Sequence, residues 1–241
     1  MTIDEKRDYG QLGRIGLGTP QANPTVEAEM RRLVPREVEY FTLRLTSSSS
    51  DAKTRLQEYL QNLPTFLKQR YSGLGMDGFL FACTGSEYLV AISEADEILK
   101  AAEQVLGVPV VTAARSLVAW LEGRKVKTIA MITPYPDWLY EPACQFWGEA
   151  GFNVLARGQL DIGSQDTYGI YDLQSSDGEE TLDRLALAGA DAILISGTGM
   201  PSLKLLKKAR ERDLVIVSSN YALAEQGLAL IDQKPTDQQF W

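Results

Sequence analysis

Two stretches of the chain can be laid over each other at one separation. Ile15-Gly16-Leu17-Gly18-Thr19-Pro20 matches Ile129-Ala130-Met131-Ile132-Thr133-Pro134. Asp77-Gly78-Phe79-Leu80-Phe81-Ala82-Cys83-Thr84-Gly85 matches Asp191-Ala192-Ile193-Leu194-Ile195-Ser196-Gly197-Thr198-Gly199. Both pairs lie 114 residues apart (15 to 129, 77 to 191), as do Val38–Phe41 and Phe152–Leu155. Apolar strands resemble one another by chance, so generic βα regularity is the plain alternative. A Thr-Pro pair and an x-Thr-Gly triplet recurring at one spacing over three strands favour duplication.

The rest of the chain fits two such halves. Strand-length apolar runs occur at Arg14–Thr19, Val38–Leu43, Gly78–Cys83, Val108–Val111, Thr128–Thr133, Asn153–Arg157, Ala192–Ser196 and Leu214–Val217. Helix-period segments lie between them at Thr25–Val34, Ala52–Tyr71, Ser86–Leu106, Leu139–Ala150, Thr181–Ala188 and Ser202–Arg212. This alternation predicts an α/β fold with two pseudo-symmetric domains, each a parallel sheet flanked by helices. Ser47–Ser50 reads as a loop, and the polar tail after Leu230 as loosely held. Ligands of open α/β sheets bind beyond the carboxyl ends of the strands. The active site is therefore expected in the interdomain cleft, between Thr19–Asn23 and Thr133–Asp137 and between Cys83–Gly85 and Gly197–Gly199.

Composition narrows the chemistry available in that cleft. The 241 residues include no histidine, which removes Ser-His and Cys-His dyads, HExxH zinc sites and any imidazole base. Cys83 and Cys144 are the only cysteines, so neither a disulfide framework nor a cysteine-based zinc site is expected. A net charge of −8 argues against nucleic acid or an anionic membrane as partner. No run of 18 apolar residues occurs, and the charged Met1–Asp8 segment has no apolar core, so a cytoplasmic protein is expected.

Several motifs have ordinary readings. Gly73-Leu74-Gly75-Met76-Asp77-Gly78 is a literal G-x-G-x-x-G, but it precedes a strand and cannot set a pyrophosphate on a helix N-terminus. Gly16-Leu17-Gly18 has Gln21 where the third glycine would sit, and no G-x-x-x-x-G-K-[ST] is present. Glu27 and Glu29 fall in a helix first turn, where carboxylates complement the dipole. Cys144 stands mid-helix among apolar and aromatic neighbours and reads as packing.

Cys83 is placed differently, ending a buried strand just before Thr84-Gly85-Ser86 opens a helix. Free backbone N–H groups and the helix dipole there favour a thiolate, an activation that needs no histidine. Burial as an inert core cysteine is the competing reading. The x-Thr-Gly turns offer amide and hydroxyl donors suited to a carboxylate or an enediolate. Asn23 and Tyr135 follow the two Thr-Pro strand ends and can add donors, or serve only as turn formers.

These residues resemble the aspartate/glutamate racemase superfamily, in its maleate isomerase and arylmalonate decarboxylase branch. The carriers are Pro20-Gln21-Ala22-Asn23-Pro24-Thr25-Val26-Glu27-Ala28-Glu29, similar to a P-x-x-N-x-x-x-E-x-E pattern, and Phe81-Ala82-Cys83-Thr84-Gly85-Ser86. The second half adds Thr133-Pro134-Tyr135 and Ile195-Ser196-Gly197-Thr198-Gly199. The resemblance implies two halves at 1–116 and 117–217, with 218–241 packing back on the first. It implies no metal and no organic cofactor, a small dicarboxylate as partner, and room for a homo-oligomer. By the same resemblance Cys83 is the catalytic cysteine, and Asn23 and Tyr135 hold substrate carboxylates. Thr84, Gly85, Thr198 and Gly199 form anion-binding turns, and Gln165 stands where maleate isomerases carry an asparagine.

One departure matters. Gly197 occupies the place of the second cysteine that racemases and maleate isomerases use. Arylmalonate decarboxylase shows the reverse arrangement, with its thiol on the second wall. Two-face racemisation is disfavoured with one thiol and no histidine. Cis–trans isomerisation of a maleate-like acid through a Cys83 adduct is expected first. Decarboxylation of a substituted malonate, with Cys83 as proton donor, is the alternative, and a non-catalytic dicarboxylate-binding protein the third.

Overall fold

The computed structural model describes residues 7–234; Met1–Lys6 of the charged N-terminus and 235–241 of the polar tail lie outside the described residues. The first half runs β1 (Gly13–Pro20), α1 (Thr25–Leu33), β2 (Val38–Leu45), α2 (Ala52–Gln61), α3 (Leu63–Arg70), β3 (Gly78–Phe81), α4 (Thr84–Tyr88), α5 (Ile92–Leu106), β4 (Val110–Thr112) and α6 (Ala113–Gly123). The second runs β5 (Thr128–Thr133), α7 (Asp137–Glu149), β6 (Asn153–Gln159), two 3-10 turns (Thr167–Asp172 and Ser175–Gly178), α8 (Glu179–Leu185), β7 (Ala192–Ile195), α9 (Leu203–Arg210), β8 (Ile216–Ser218) and α10 (Ser219–Ala229). The strands form two all-parallel sheets, ordered β2-β1-β3-β4 and β6-β5-β7-β8.

The duplication extends to register. Ile15 pairs with Tyr40 and Gly78, and Ile129 pairs with Val154 and Ala192, each partner shifted by the same 114 residues. Aspartates at the mouths of β3 and β7 explain part of the sequence repeat. Asp77 Oδ2 accepts from the Arg14 N–H at 2.7 Å, and Asp191 Oδ2 from those of Lys127 and Thr128 at 2.9 and 2.8 Å. Each ties an inner strand to its neighbour, and these hydrogen bonds hold the Asp191 carboxyl below its usual range. The correspondence stops at the fourth strand because the crossover helices differ: α5 has 15 residues and α9 has 8.

The inner strands β3 and β7 are buried at every position, as both-face-covered parallel strands should be. Gly16 and Gly18 let the Phe79 ring lie on β1, since a Cβ would come within 2.4 and 2.9 Å of it. Two expected helices are each broken in two. Asn62 and Pro64 divide the Ala52–Tyr71 segment, and residues 89–91 separate α4 from α5. The sequence does not single out α6, whose N-cap is Thr112 at the end of β4. α10 packs on α6 and over β3 and β4, where Gly227 lies against Leu80.

Candidate active site

The carboxyl ends of β1, β3, β5 and β7 converge on one cavity of about 30 Å³, room for about two waters. Pro20, Asn23, Cys83, Thr84, Gly85, Tyr135, Gly197, Thr198 and Gly199 supply its polar side, and Leu56, Leu139, Ile170 and Tyr171 its apolar side, with Thr167 at the roof. The structure thus brings every expected site residue together except one. Gln165 is exposed and faces a separate groove; only its carbonyl is engaged, by Trp138 Nε1 at 3.0 Å. Thr167, two residues on, reaches the cavity instead.

Hydrogen bonds across the halves build this cavity. Asn23 Oδ1 accepts from the Thr25 and Val26 N–H groups at 2.9 and 3.2 Å, closing the first turn of α1. Its Nδ2 donates to Thr198 Oγ1 at 3.4 Å, leaving a second amide proton for a ligand. Thr198 Oγ1 donates to the Ala82 carbonyl at 2.9 Å, and Thr25 Oγ1 to that of Gly199 at 2.7 Å. The turns that carry Cys83 and Gly197 therefore brace one another.

Glu27 and Glu29 do more than complement a dipole. Glu27 pairs with Arg44, whose Nη1 holds the Asn23 carbonyl at 2.8 Å. Glu29 is buried and accepts from Ser202 N (2.6 Å), Ser202 Oγ (2.8 Å), Leu203 N (3.2 Å) and Asn220 Nδ2 (2.8 Å), all in the second half. It thereby caps α9 from outside. Burial raises its pKa, outweighing these donors.

Around the thiol, burial competes with the donors of the helix terminus. Cys83 is 5% exposed and caps a helix of only five residues. Burial pushes its pKa up, against the Ser86 hydroxyl, which donates at 3.1 Å, and the Ser86 and Gly85 amides; buried Glu87 adds to the rise. Glu87 itself is paired with Arg115 at 2.6 Å.

Opposite the thiol, Gly197 has φ +132°, a conformation side chains rarely adopt, and a Cβ there would meet the Pro134 ring at 3.0 Å. The position is built for glycine. Tyr135 lies beside it, its hydroxyl 2.6 Å from Thr84 Oγ1 and 3.2 Å from Ser196 Oγ; burial drives its pKa well up.

The roof comes from residues 166–172. Buried Arg55 on α2 pairs with Asp166, lies 3.5 Å from Thr167 Oγ1 and stacks on the Tyr168 ring at 4.1 Å. Gln21 Nε2 donates to Tyr168 Oη at 2.7 Å. Tyr171 packs against Gly199, where a Cβ would come within 2.8 Å. Sequence reasoning missed these roof residues, Ser86, Ser196 and Tyr88. Among the described residues no cluster of three or more His, Cys, Asp or Glu could hold a metal ion, and no helix is long and apolar enough to cross a membrane.

Two like halves meeting at a donor-rich cavity with one buried thiol define the class to which this protein belongs. The chain is a member of the arylmalonate decarboxylase family, whose model matches residues 77–239. It is 26% identical to the maleate isomerase of Nocardia farcinica over 238 residues, 92% of this chain and 91% of that one. Two solved structures share the fold. One is a variant of arylmalonate decarboxylase with a glycine-to-cysteine and a cysteine-to-serine exchange, in liganded form (TM-score 0.79, 19% identity, 94% of this chain and 97% of that one). The other is a cysteine-to-serine variant of Nocardia farcinica maleate cis-trans isomerase with a covalently bound succinylcysteine intermediate (TM-score 0.78, 22% identity, 92% and 93%).

Proposed function

We propose that this protein is a cytoplasmic, cofactor-independent decarboxylase of small α-substituted malonates, with Cys83 as its single proton donor. The observation that carries the reading is the buried Cys83 thiol sharing one cavity with the Gly197 wall, where a side chain is strained. With residues 166–172 lifted, one carboxylate of the substrate sits among the Thr84, Gly85, Thr198 and Gly199 turns and the Asn23 amide, beside Tyr135. The other carboxylate and the substituent face Leu56, Leu139, Ile170 and Tyr171. The C–C bond to the carboxylate on the apolar side breaks, carbon dioxide leaves, and its electron pair becomes the enediolate of the remaining carboxylate. Each well-aimed donor contributes on the order of 3 kcal/mol to that anion. Cys83 then gives its proton to carbon, and solvent restores the thiol. The related decarboxylase variant supports this arrangement: its two exchanged positions are 114 residues apart, as Cys83 and Gly197 are. The site then belongs to halves 1–116 and 117–217, with α10 returning to the first.

A second reading has an observation of its own. Similarity to a maleate isomerase along nearly the whole chain favours addition of the Cys83 sulfur to a cis-enedioate, rotation about the former double bond and elimination. A panel of phenylmalonate, alkylmalonates and maleate, followed by nuclear magnetic resonance, separates the two. Carbon dioxide release from the malonates, abolished by Cys83→Ala, is expected. Maleate-to-fumarate turnover with inert malonates would reverse the order. Ligand binding without either turnover would leave a dicarboxylate-binding protein.

A further inference from the structure

The cavity's donors do not end at its lining. Four hydroxyls form a row: Tyr88 Oη lies 2.8 Å from Ser196 Oγ, Ser196 Oγ 3.2 Å from Tyr135 Oη, and Tyr135 Oη 2.6 Å from Thr84 Oγ1. All four residues are buried, with exposures of 5, 0, 3 and 1% along the row. The row crosses between the halves at its first and last steps, since Tyr88 and Thr84 stand on α4 and Ser196 and Tyr135 follow β7 and β5. Thr84 and Tyr135 line the cavity; Tyr88 and Ser196 do not.

Three contacts among four hydroxyls use three protons and leave one. If Tyr88 donates to Ser196, Ser196 to Tyr135 and Tyr135 to Thr84, the free proton belongs to Thr84 at the cavity wall. Run the other way, Thr84 presents only lone pairs and repels an anion. We propose that Tyr88 and Ser196 are positioning residues that bias the row toward the cavity, so that Thr84 meets the enediolate as a donor. Each hydroxyl polarises the next, which strengthens the terminal donor beyond what an isolated threonine offers. This inference rests on the enediolate reading above, and it applies equally to the decarboxylation and isomerisation versions of it.

Tyr88→Phe, Ser196→Ala and their double variant each remove only hydroxyl oxygens, and thermal melts establish that they fold. Tyr140→Phe, which deletes a buried hydroxyl that shares no hydrogen bond with the row, is the control. With phenylmalonate as substrate, kcat falls about fivefold in Tyr88→Phe and about tenfold in Ser196→Ala, from the worth of one or two hydrogen bonds. KM changes less than twofold, as the row acts on the anion formed later. The double variant is no slower than Ser196→Ala, because cutting the row once disconnects Tyr88. A second readout needs no turnover: the nitronate anion of phenylnitromethane, a planar two-oxygen mimic of the enediolate. Its affinity falls in both variants while that of phenylacetate holds. Equal nitronate binding by all variants, or losses that simply add, would overturn the row. Wild-type protein that neither turns over substrate nor binds the nitronate would remove the enediolate reading, and the row with it.

Discussion

Cys83 shows how a local rule can be outweighed by the packing around it. A strand-to-helix junction lowers a thiol's pKa when the helix is long and the sulfur reaches water. Here α4 has five residues and the sulfur is buried, so desolvation wins. A proton donor works in its protonated form, and a raised pKa extends that form upward in pH. We predict that kcat for malonate decarboxylation is flat through neutrality and falls only above about 8.5, the value of an ordinary cysteine. A nucleophilic thiolate would give a rate rising toward that same pH; a pH–rate profile reads the sign directly. Gly197 carries the complementary prediction. Gly197→Cys must leave its +132° backbone conformation or strain it, so we expect a loss of about 1–3 kcal/mol in urea melts. An unchanged midpoint would show that the wall accepts a second thiol.

The site was legible in the sequence where the repeat covered it. Cys83, Thr84, Gly85, Gly197, Thr198 and Gly199 follow from two superimposable x-Thr-Gly turns. Gln165 did not follow, because the segment after β6 has no counterpart in the first half to fix its register. Ser196 and Tyr88 were invisible as partners: their hydroxyls are 108 residues apart in sequence and meet only when the halves close.

At the scale of elements, α1 and the roof decide how the halves fit together. Glu29 receives four donors from around the N-terminus of α9 and α10, so Glu29→Ala strands several buried polar groups together. The expected cost is about 3–5 kcal/mol in urea unfolding, part of it recovered by Glu29→Gln, whose amide oxygen still accepts from the Ser202 and Leu203 amides. A loss below ~1 kcal/mol would mean that water replaces the carboxylate. The roof is held by Arg55 against half-exposed Asp166, a pair worth less than a fully buried one. With the cavity this narrow, we expect a reagent to reach Cys83 through lifting of residues 166–172. Arg55→Ala should therefore speed iodoacetamide labelling of Cys83 by about tenfold, the effect of ~1.4 kcal/mol on an opening equilibrium. Cys144 serves as the internal control, and unaltered labelling of Cys83 would show that access runs elsewhere.

Across the whole molecule, the repeat read from three strands describes the first three strands of each sheet and their register, except where an irregularity after Ile129 shifts β5 against β6 by one residue. The fourth strands escape it because α5 and α9 differ in length. The two helices that follow, α6 and α10, cross-pack through small and apolar faces whose meaning depends on both sheets being present. What the duplication delivers to function is one cavity with two unlike walls, a thiol on one and a glycine on the other. On the proposed reading, a single acid protonates a planar enediolate from one side only.

The most direct test of that claim uses prochiral α-methyl-α-phenylmalonate in deuterium oxide, with the product followed by nuclear magnetic resonance and chiral chromatography. The account predicts carbon dioxide release and one deuterium at the α-carbon of a single enantiomer, with Cys83→Ala inactive. Racemic product, or undiminished turnover in Cys83→Ala, would contradict it.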